Sequence, residues 1–261
     1  FQVRHLVGKV RGRFADFNPS SAEERGISSQ MAHAQGPLAR SIADLRLAYE
    51  AMAVRDARDP WYVPAPLAGE RPKGPIPVAM FAAQVGYDVD PAVTAAVRQA
   101  GEWLAGAGYR VEDAAPPHFT EAATMFWRLL MTEERAASSE ERSASSRGIE
   151  AFGDAAVKRA RSGTKAYAGE YDFDGYIRAL ARRSAILRAW NVFFERYPIV
   201  LMPASWQRPL PVDYDQQGDA AVRRMIDGKA FGLQTLQNEG GDFRVVFDEK
   251  DAHGRSLVFG F

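Results

Sequence analysis

The chain has 261 residues, of which 46% are hydrophobic and 25% charged, as in an ordinary globular protein that can bury a sizeable core. Basic and acidic residues number 33 each, so the net charge is formally zero and we expect neither nucleic acid nor a membrane as a partner. The absence of cysteine excludes disulfides and thiolate metal sites, and it favours a cytoplasmic location.

The first well-marked element is a helix that begins at Ser41, after the break at Gly36-Pro37. Ser41 is a good N-cap residue, and Asp44, three residues later, completes a shortened capping box. Apolar residues recur from there at helical spacing, so the pattern predicts one apolar face. That predicted face consists of Leu38, Ile42, Leu45, Leu47, Ala48, Ala51 and Met52.

A strand, a helix and a second strand follow. Pro77–Ala83 is a short apolar run that predicts a buried strand. Asp90-Pro91 is typical of an N-cap followed by the first helical residue, and this helix ends near Gly106. Tyr109–Glu112 predicts the next strand, so the unit favours an α/β architecture. The predicted apolar stripe of the helix consists of Val93, Val97, Ala100, Trp103 and Leu104.

The second half of the chain is predicted to be mainly helical. Helices are expected over Thr120–Arg135 and Phe173–Arg196, with a shorter one over Ile149–Arg161. Ala136–Gly148 has low complexity and is interpreted as a solvated helix end or a mobile loop. Ile199–Met202 is a continuous apolar run, which is typical of a strand covered on both faces of a sheet.

The C-terminal region begins with a polar, acidic approach to a predicted helix over Gly218–Asp227. Beyond that helix, Phe243–Phe247 and Ser256–Phe261 are interpreted as the strands of a possible β-hairpin.

Four stretches resemble the amidase signature family, whose members are serine hydrolases that cleave carboxamides. The stretches are GPLARSIADLRLAYEAM from Gly36, DARDPWYVPAPL from Asp56, YPIVLMP from Tyr197, and SWQRPLPVDYDQQGDAAVRRMID from Ser205. The likeness covers most of residues 17–227. It implies an α/β fold, with a mixed sheet flanked by helices, that is incomplete here. Residues 1–228 would form a partial amidase signature domain, and residues 229–261 an atypical tail.

The resemblance places no catalytic residue on this chain. The family uses a serine nucleophile, a bridging serine in a cis peptide and a lysine, all of which precede the point that matches Leu6. Lys9 is therefore interpreted as a surface lysine. Ser28-Ser29 lacks the glycine run of the family's GGSSGG-type loop and is interpreted as a pair of turn residues.

Other catalytic machinery is not apparent in the sequence. The four histidines are scattered, and no metal-ligand spacing, P-loop or GxSxG elbow is present. We expect no metal and no cofactor.

Five residues are candidates for the wall of a substrate pocket. Met125, Phe126 and Trp127 lie on the predicted Thr120–Arg135 helix, where core packing is the alternative interpretation. Trp206 and Gln207 follow the Ile199–Met202 strand, at the end where α/β sheets commonly face a ligand. For this pair too, packing is the alternative.

A further stretch, Lys165–Gly175, is rich in aromatic and acidic residues. It could line a ligand site or form a surface loop pinned by its aromatic rings.

The resemblance implies that the whole protein hydrolyses a small-molecule amide, and that this chain is an inactive fragment without the nucleophile. The alternative is a non-catalytic pseudoenzyme or a binding module that keeps the pocket half. In an incomplete domain, apolar helix faces are exposed, so self-association is expected.

Overall fold

The computed structural model describes residues 26–32, 39–55, 74–83, 89–136, 144–203 and 205–227. The predicted C-terminal hairpin, Lys9 and the Asp56 stretch lie outside the described residues. The elements are α1 (Ile27–Ala32), α2 (Ile42–Met52), β1 (Pro77–Met80), α3 (Pro91–Gly106), β2 (Arg110–Asp113), α4 (Phe119–Ala136), α5 (Ala144–Phe152), α6 (Ala155–Ala168), α7 (Phe173–Arg196), β3 (Ile199–Leu201), a 3-10 turn (Tyr214–Gln217) and α8 (Asp219–Asp227).

Within the described segments, the three strands form one parallel sheet in the order β2-β1-β3. Val78 of the central strand lies opposite Val111 on one side and Ile199 on the other. The predicted strand–helix–strand unit is therefore confirmed. Strand β1 is shorter than predicted, since it ends at Met80. Phe81 nevertheless stays buried beyond the strand end.

Helix α3 begins where the sequence predicts. The Asp90 carboxylate accepts a hydrogen bond of 2.8 Å from the backbone N–H of Ala92 and so caps the helix. Gly101 faces the sheet, and a Cβ at this position would lie 2.8 Å from Sδ of Met80. The helix therefore packs closely on β1 because residue 101 has no side chain. Trp103 is 47% exposed, so its place in the predicted buried stripe was wrong.

Helix α2 has the predicted cap, with the Ser41 hydroxyl accepting from the Asp44 N–H at 3.1 Å. Leu45 is buried, whereas Leu47 is 69% exposed and Ala51 is also exposed. The predicted apolar face was thus too wide, because it assigned residues from opposite sides of the helix to one stripe.

The predicted helix over Ile149–Arg161 was wrong in its extent. The structure has two helices there, α5 and α6, and α5 includes part of the stretch interpreted as a solvated helix end or a mobile loop. Gly153 and Asp154 separate them, and the Asp154 carboxylate caps α6 by accepting from the Val157 N–H at 2.8 Å. This interaction lowers the pKa of Asp154.

Helix α7 has the predicted bounds and packs with α4 beside the sheet. Its buried residues Ala179, Ile186 and Trp190 belong to the main apolar cluster, together with Val78 and Val200 of the sheet. A smaller cluster joins α4 to α8 and consists of Ala123, Val222 and Ile226.

In the part of the chain that the structure describes, no helix is long and apolar enough to cross a bilayer.

Candidate functional site

The carboxyl ends of the three strands meet at one edge of the sheet, which is where parallel α/β sheets commonly bind ligands. Three aromatic rings lie just beyond that edge: Phe81 after β1, Phe119 after β2 and Trp206 after β3. They pack edge to face, with Phe81 at 5.3 Å from Phe119 and 5.6 Å from Trp206 between ring centroids. Trp206 is fully buried, so it forms part of the core beneath this edge.

The loop after β3 is held against the start of α3. The Asp90 N–H donates to the Trp206 carbonyl at 2.9 Å, and Arg208 Nε donates to the Asp90 carboxylate at 2.6 Å. The Arg208 guanidinium lowers the pKa of Asp90. Gln207 lies between these anchors and is partly exposed, while its N–H donates to Ser205 Oγ at 3.2 Å.

The remaining predicted pocket residues lie on α4 and point in different directions. Met125 is buried in the same apolar cluster as Trp206. Phe126 is buried against the half-buried ring of Trp127, with centroids 5.4 Å apart, and Trp127 packs on the α4–α8 cluster. The structure therefore brings Met125 and Trp206 into one cluster and places Trp127 in another. A contact of any of them with substrate stays a prediction.

An open groove of about 730 Å³ runs between α4 and α7. This volume is within the range of small-molecule sites. The groove is lined by Glu121, Thr124, Met125, Arg128, Glu170, Tyr171, Asp172, Gly175, Arg178, Ala179 and Arg182. Its lining thus includes Met125 from the predicted pocket residues, and Tyr171 and Asp172 from the aromatic and acidic stretch.

A bidentate ion pair between Glu121 and Arg182 forms part of the groove lining. Arg182 donates from Nε and from a terminal nitrogen to the two carboxylate oxygens of Glu121, at 2.7 and 2.9 Å. This bidentate pair lowers the pKa of Glu121 and raises that of Arg182. His118 Nδ1 lies 3.1 Å from the same carboxylate.

A partly buried hydrogen-bond network joins α1, α4 and α7. Glu133 accepts from both the N–H and the hydroxyl of Ser28, at 2.9 and 2.8 Å, and from the Tyr176 hydroxyl at 2.6 Å. Burial, with the hydrogen bond to Glu133, raises the pKa of Tyr176 above its ordinary value. Ser28 is only 2% exposed, so its hydroxyl is an internal donor.

The interpretation of Ser28-Ser29 as turn residues was wrong, because both lie in helix α1. Sequence reasoning also missed the partner of Ser28, which lies 105 residues further along the chain. A pairing over this distance leaves no local pattern in the sequence.

Among the described residues, no group of three or more histidine, aspartate and glutamate side chains could hold a metal ion.

The fold and these sites can be compared with known proteins. A sequence profile of the Amidase family matches residues 20–234, which is more than half of the chain. The chain belongs to the amidase family. The resemblance carried by the four sequence stretches is thereby confirmed.

Two curated relatives of this amidase-family chain are indoleacetamide hydrolases. That of Bradyrhizobium japonicum is 40% identical over 205 residues, which cover 78% of this chain and 42% of the relative. That of Bradyrhizobium diazoefficiens is 42% identical over 199 residues, which cover 76% of this chain and 37% of the relative. The chain therefore spans less than half the length of these relatives.

Solved structures share the fold. The 6-aminohexanoate cyclic dimer hydrolase in complex with substrate is similar, with a TM-score of 0.52 at 13% identity over 77% of this chain and 45% of that chain. The allophanate hydrolase of Kluyveromyces lactis is similar with a TM-score of 0.51 at 16% identity, over 74% and 31% respectively. The predicted α/β class is thus confirmed.

Proposed function

We propose that this chain takes part in the hydrolysis of a small-molecule carboxamide to a carboxylate and ammonia. The observation that carries the proposal is its 40% identity, over 78% of its length, to an indoleacetamide hydrolase. An arylacetamide is accordingly the first substrate to test.

Amide hydrolysis without a metal requires an activated nucleophile, a proton shuttle for the leaving ammonia and an oxyanion hole. We assign these functions to the family's serine–serine–lysine machinery, supplied by polypeptide outside the 261 residues. The engagement of Ser28 supports this assignment. Its hydroxyl donates to Glu133 at 2.8 Å, and Ser28 is only 2% exposed, so the hydroxyl is held inside the fold and away from a substrate in solution.

In this proposal the chain contributes the acyl-group side of the pocket. The carboxyl edge of the sheet supports the proposal, because Trp206 anchors the loop that carries Gln207 at that edge. The α4 residues Met125, Phe126 and Trp127 are the other proposed wall residues. Gln207 is the polar candidate for orienting the substrate amide, since it is partly exposed.

A serine-directed fluorophosphonate probe tests where the nucleophile lies. The 261-residue chain would be mixed with the N-terminal portion of the Bradyrhizobium japonicum relative, which supplies the family's serine. Labelling is expected on the added portion, and mass spectrometry of tryptic peptides locates it. Specific labelling of a serine in the 261-residue chain, lost in its alanine variant, would overturn the assignment.

A second candidate function is a non-catalytic binding module. The groove between α4 and α7 favours it, because its lining comes from described residues of this chain alone. Two results together would support this second function over the first. They are saturable ligand binding by the chain, and no turnover when the folded chain is combined with the N-terminal portion of the relative.

A further inference from the structure

The groove between α4 and α7 carries six charged side chains, and four of them form an ion pair or a helix cap. Glu121 and Arg182 form the bidentate pair described above. Glu170 is paired with Arg135, which does not line the groove. Asp172 accepts from the Gly175 N–H at 2.7 Å and caps α7. The cations that remain are Arg128 and Arg178.

Arg128 is held with its guanidinium in a fixed plane. Its Nε donates to the Ala168 carbonyl at 2.8 Å, and its central carbon lies 5.1 Å from the centroid of the Tyr171 ring. Within the described segments, its terminal nitrogens have no hydrogen-bond partner. The donors that remain are thus presented at the groove by a restrained guanidinium, which lowers the loss of side-chain freedom on binding.

Arg178 is exposed on α7, one helical turn before Arg182. It lines the groove and has neither a salt bridge nor a hydrogen bond with any residue that the structure describes. A guanidinium has N–H donors and no acceptor, so an anionic acceptor is the ligand group that suits both arginines.

The floor of the groove is apolar. Met125 and Ala179 are each 5% exposed, and the Tyr171 ring is partly buried against the main cluster. The groove therefore combines an apolar surface with two arginines that have free donors. The charge of Asp172 disfavours a ligand with a second negative charge, because like charges at short range repel.

We propose that this groove binds a small organic monocarboxylate. The carboxylate contacts Arg128 and Arg178, and the apolar body of the ligand lies on Met125, Ala179 and the Tyr171 ring. The site requires no nucleophile. The carboxylate can therefore bind in the groove whether or not the protein hydrolyses amides.

Isothermal titration calorimetry on the whole 261-residue chain tests this site. The probe is 4-phenylbutyrate, which has one carboxylate and an apolar body, and its matched neutral analogue is 4-phenylbutyramide. The carboxylate is expected to bind at least about tenfold more tightly than the amide, because only the carboxylate forms charge-assisted hydrogen bonds with the arginines.

Variants place the binding in the groove. Arg178→Gln is expected to weaken 4-phenylbutyrate binding about tenfold, and Arg178→Lys to weaken it less, since lysine keeps the charge but loses the fork. Arg188→Gln is the matched control, because Arg188 is also exposed on α7 but does not line the groove. Its affinity is expected to equal that of the unaltered chain.

Three results would overturn the proposal. They are equal affinity for the amide and the carboxylate, equal weakening by Arg178→Gln and Arg188→Gln, and no saturable binding of 4-phenylbutyrate by the folded chain.

Discussion

The hydroxyl of Tyr176 on α7 donates a hydrogen bond of 2.6 Å to Oε1 of Glu133 on α4. The same oxygen accepts from the Ser28 hydroxyl on α1 at 2.8 Å. One carboxylate therefore ties together three helices that are far apart in the sequence. Because Ser28 is buried, its polar atoms depend on this acceptor.

Removal of the Tyr176 hydroxyl should destabilise the fold. We expect Tyr176→Phe to lower the free energy of unfolding by about 1.5 kcal/mol, since hydrogen bonds to charged groups are worth more than neutral ones. Urea unfolding followed by circular dichroism measures this change. Tyr214→Phe is the control, because the Tyr214 ring stacks with Arg224 at 6.0 Å and keeps this contact. Equal stability of the two variants would contradict the structural role of the network.

The raised pKa of Tyr176 predicts a loss of stability in alkali. The folded state favours the neutral phenol of Tyr176. Its contribution to the free energy of unfolding is therefore fully present below the ordinary pKa of 10.0, and it is lost as the pH rises through the higher pKa of the folded state. Between pH 10 and about 11.5, the Tm should fall more steeply for the unaltered chain than for Tyr176→Phe. Parallel Tm curves for the two proteins would show that Tyr176 titrates normally.

Because α3 packs closely on the sheet, substitutions of its two glycines, Gly101 and Gly106, should differ in their effect on the free energy of unfolding. Gly101→Val should lower the free energy of unfolding by about 1–3 kcal/mol, because a Cβ there lies 2.8 Å from Met80 Sδ. Gly106→Ala on the same helix meets nothing within 4 Å. Gly106→Ala should therefore raise the free energy of unfolding, by less than about 1 kcal/mol. Equal effects at both positions would argue against the observed α3 packing.

Substitution of Trp206 should destabilise the fold much more than substitution of Gln207. Trp206→Ala removes a fully buried ring from the Phe81–Phe119 cluster and should cost about 3–5 kcal/mol. Gln207→Ala should change the free energy of unfolding by less than about 0.5 kcal/mol, because its side chain is partly exposed. If Gln207→Ala destabilises as much as Trp206→Ala, the packing interpretation holds for both residues.

Local signals in the sequence predicted much of the fold. Ser41 and Asp90 cap helices as expected, because capping depends on residues only two or three positions apart. The bounds of α7 and the parallel strand unit also follow from local patterns.

Tertiary contacts explain what the sequence did not predict. The exposure of Leu47 and Trp103 was not predicted, because hydrophobicity alone does not tell which side of a helix packs against another element. The Ser28–Glu133–Tyr176 network and the groove arise only when α4 and α7 lie side by side. No local pattern in the sequence therefore marks Arg128 and Arg178.

Release of ammonia from arylacetamides tests the proposed function most directly. The 261-residue chain would be assayed alone and after joining to the N-terminal portion of the Bradyrhizobium japonicum relative, with cooperative unfolding as proof of folding in each case. We expect no release above blank from the chain alone and clear release from the joined protein. Release by the chain alone, or none from a folded joined protein, would contradict the account.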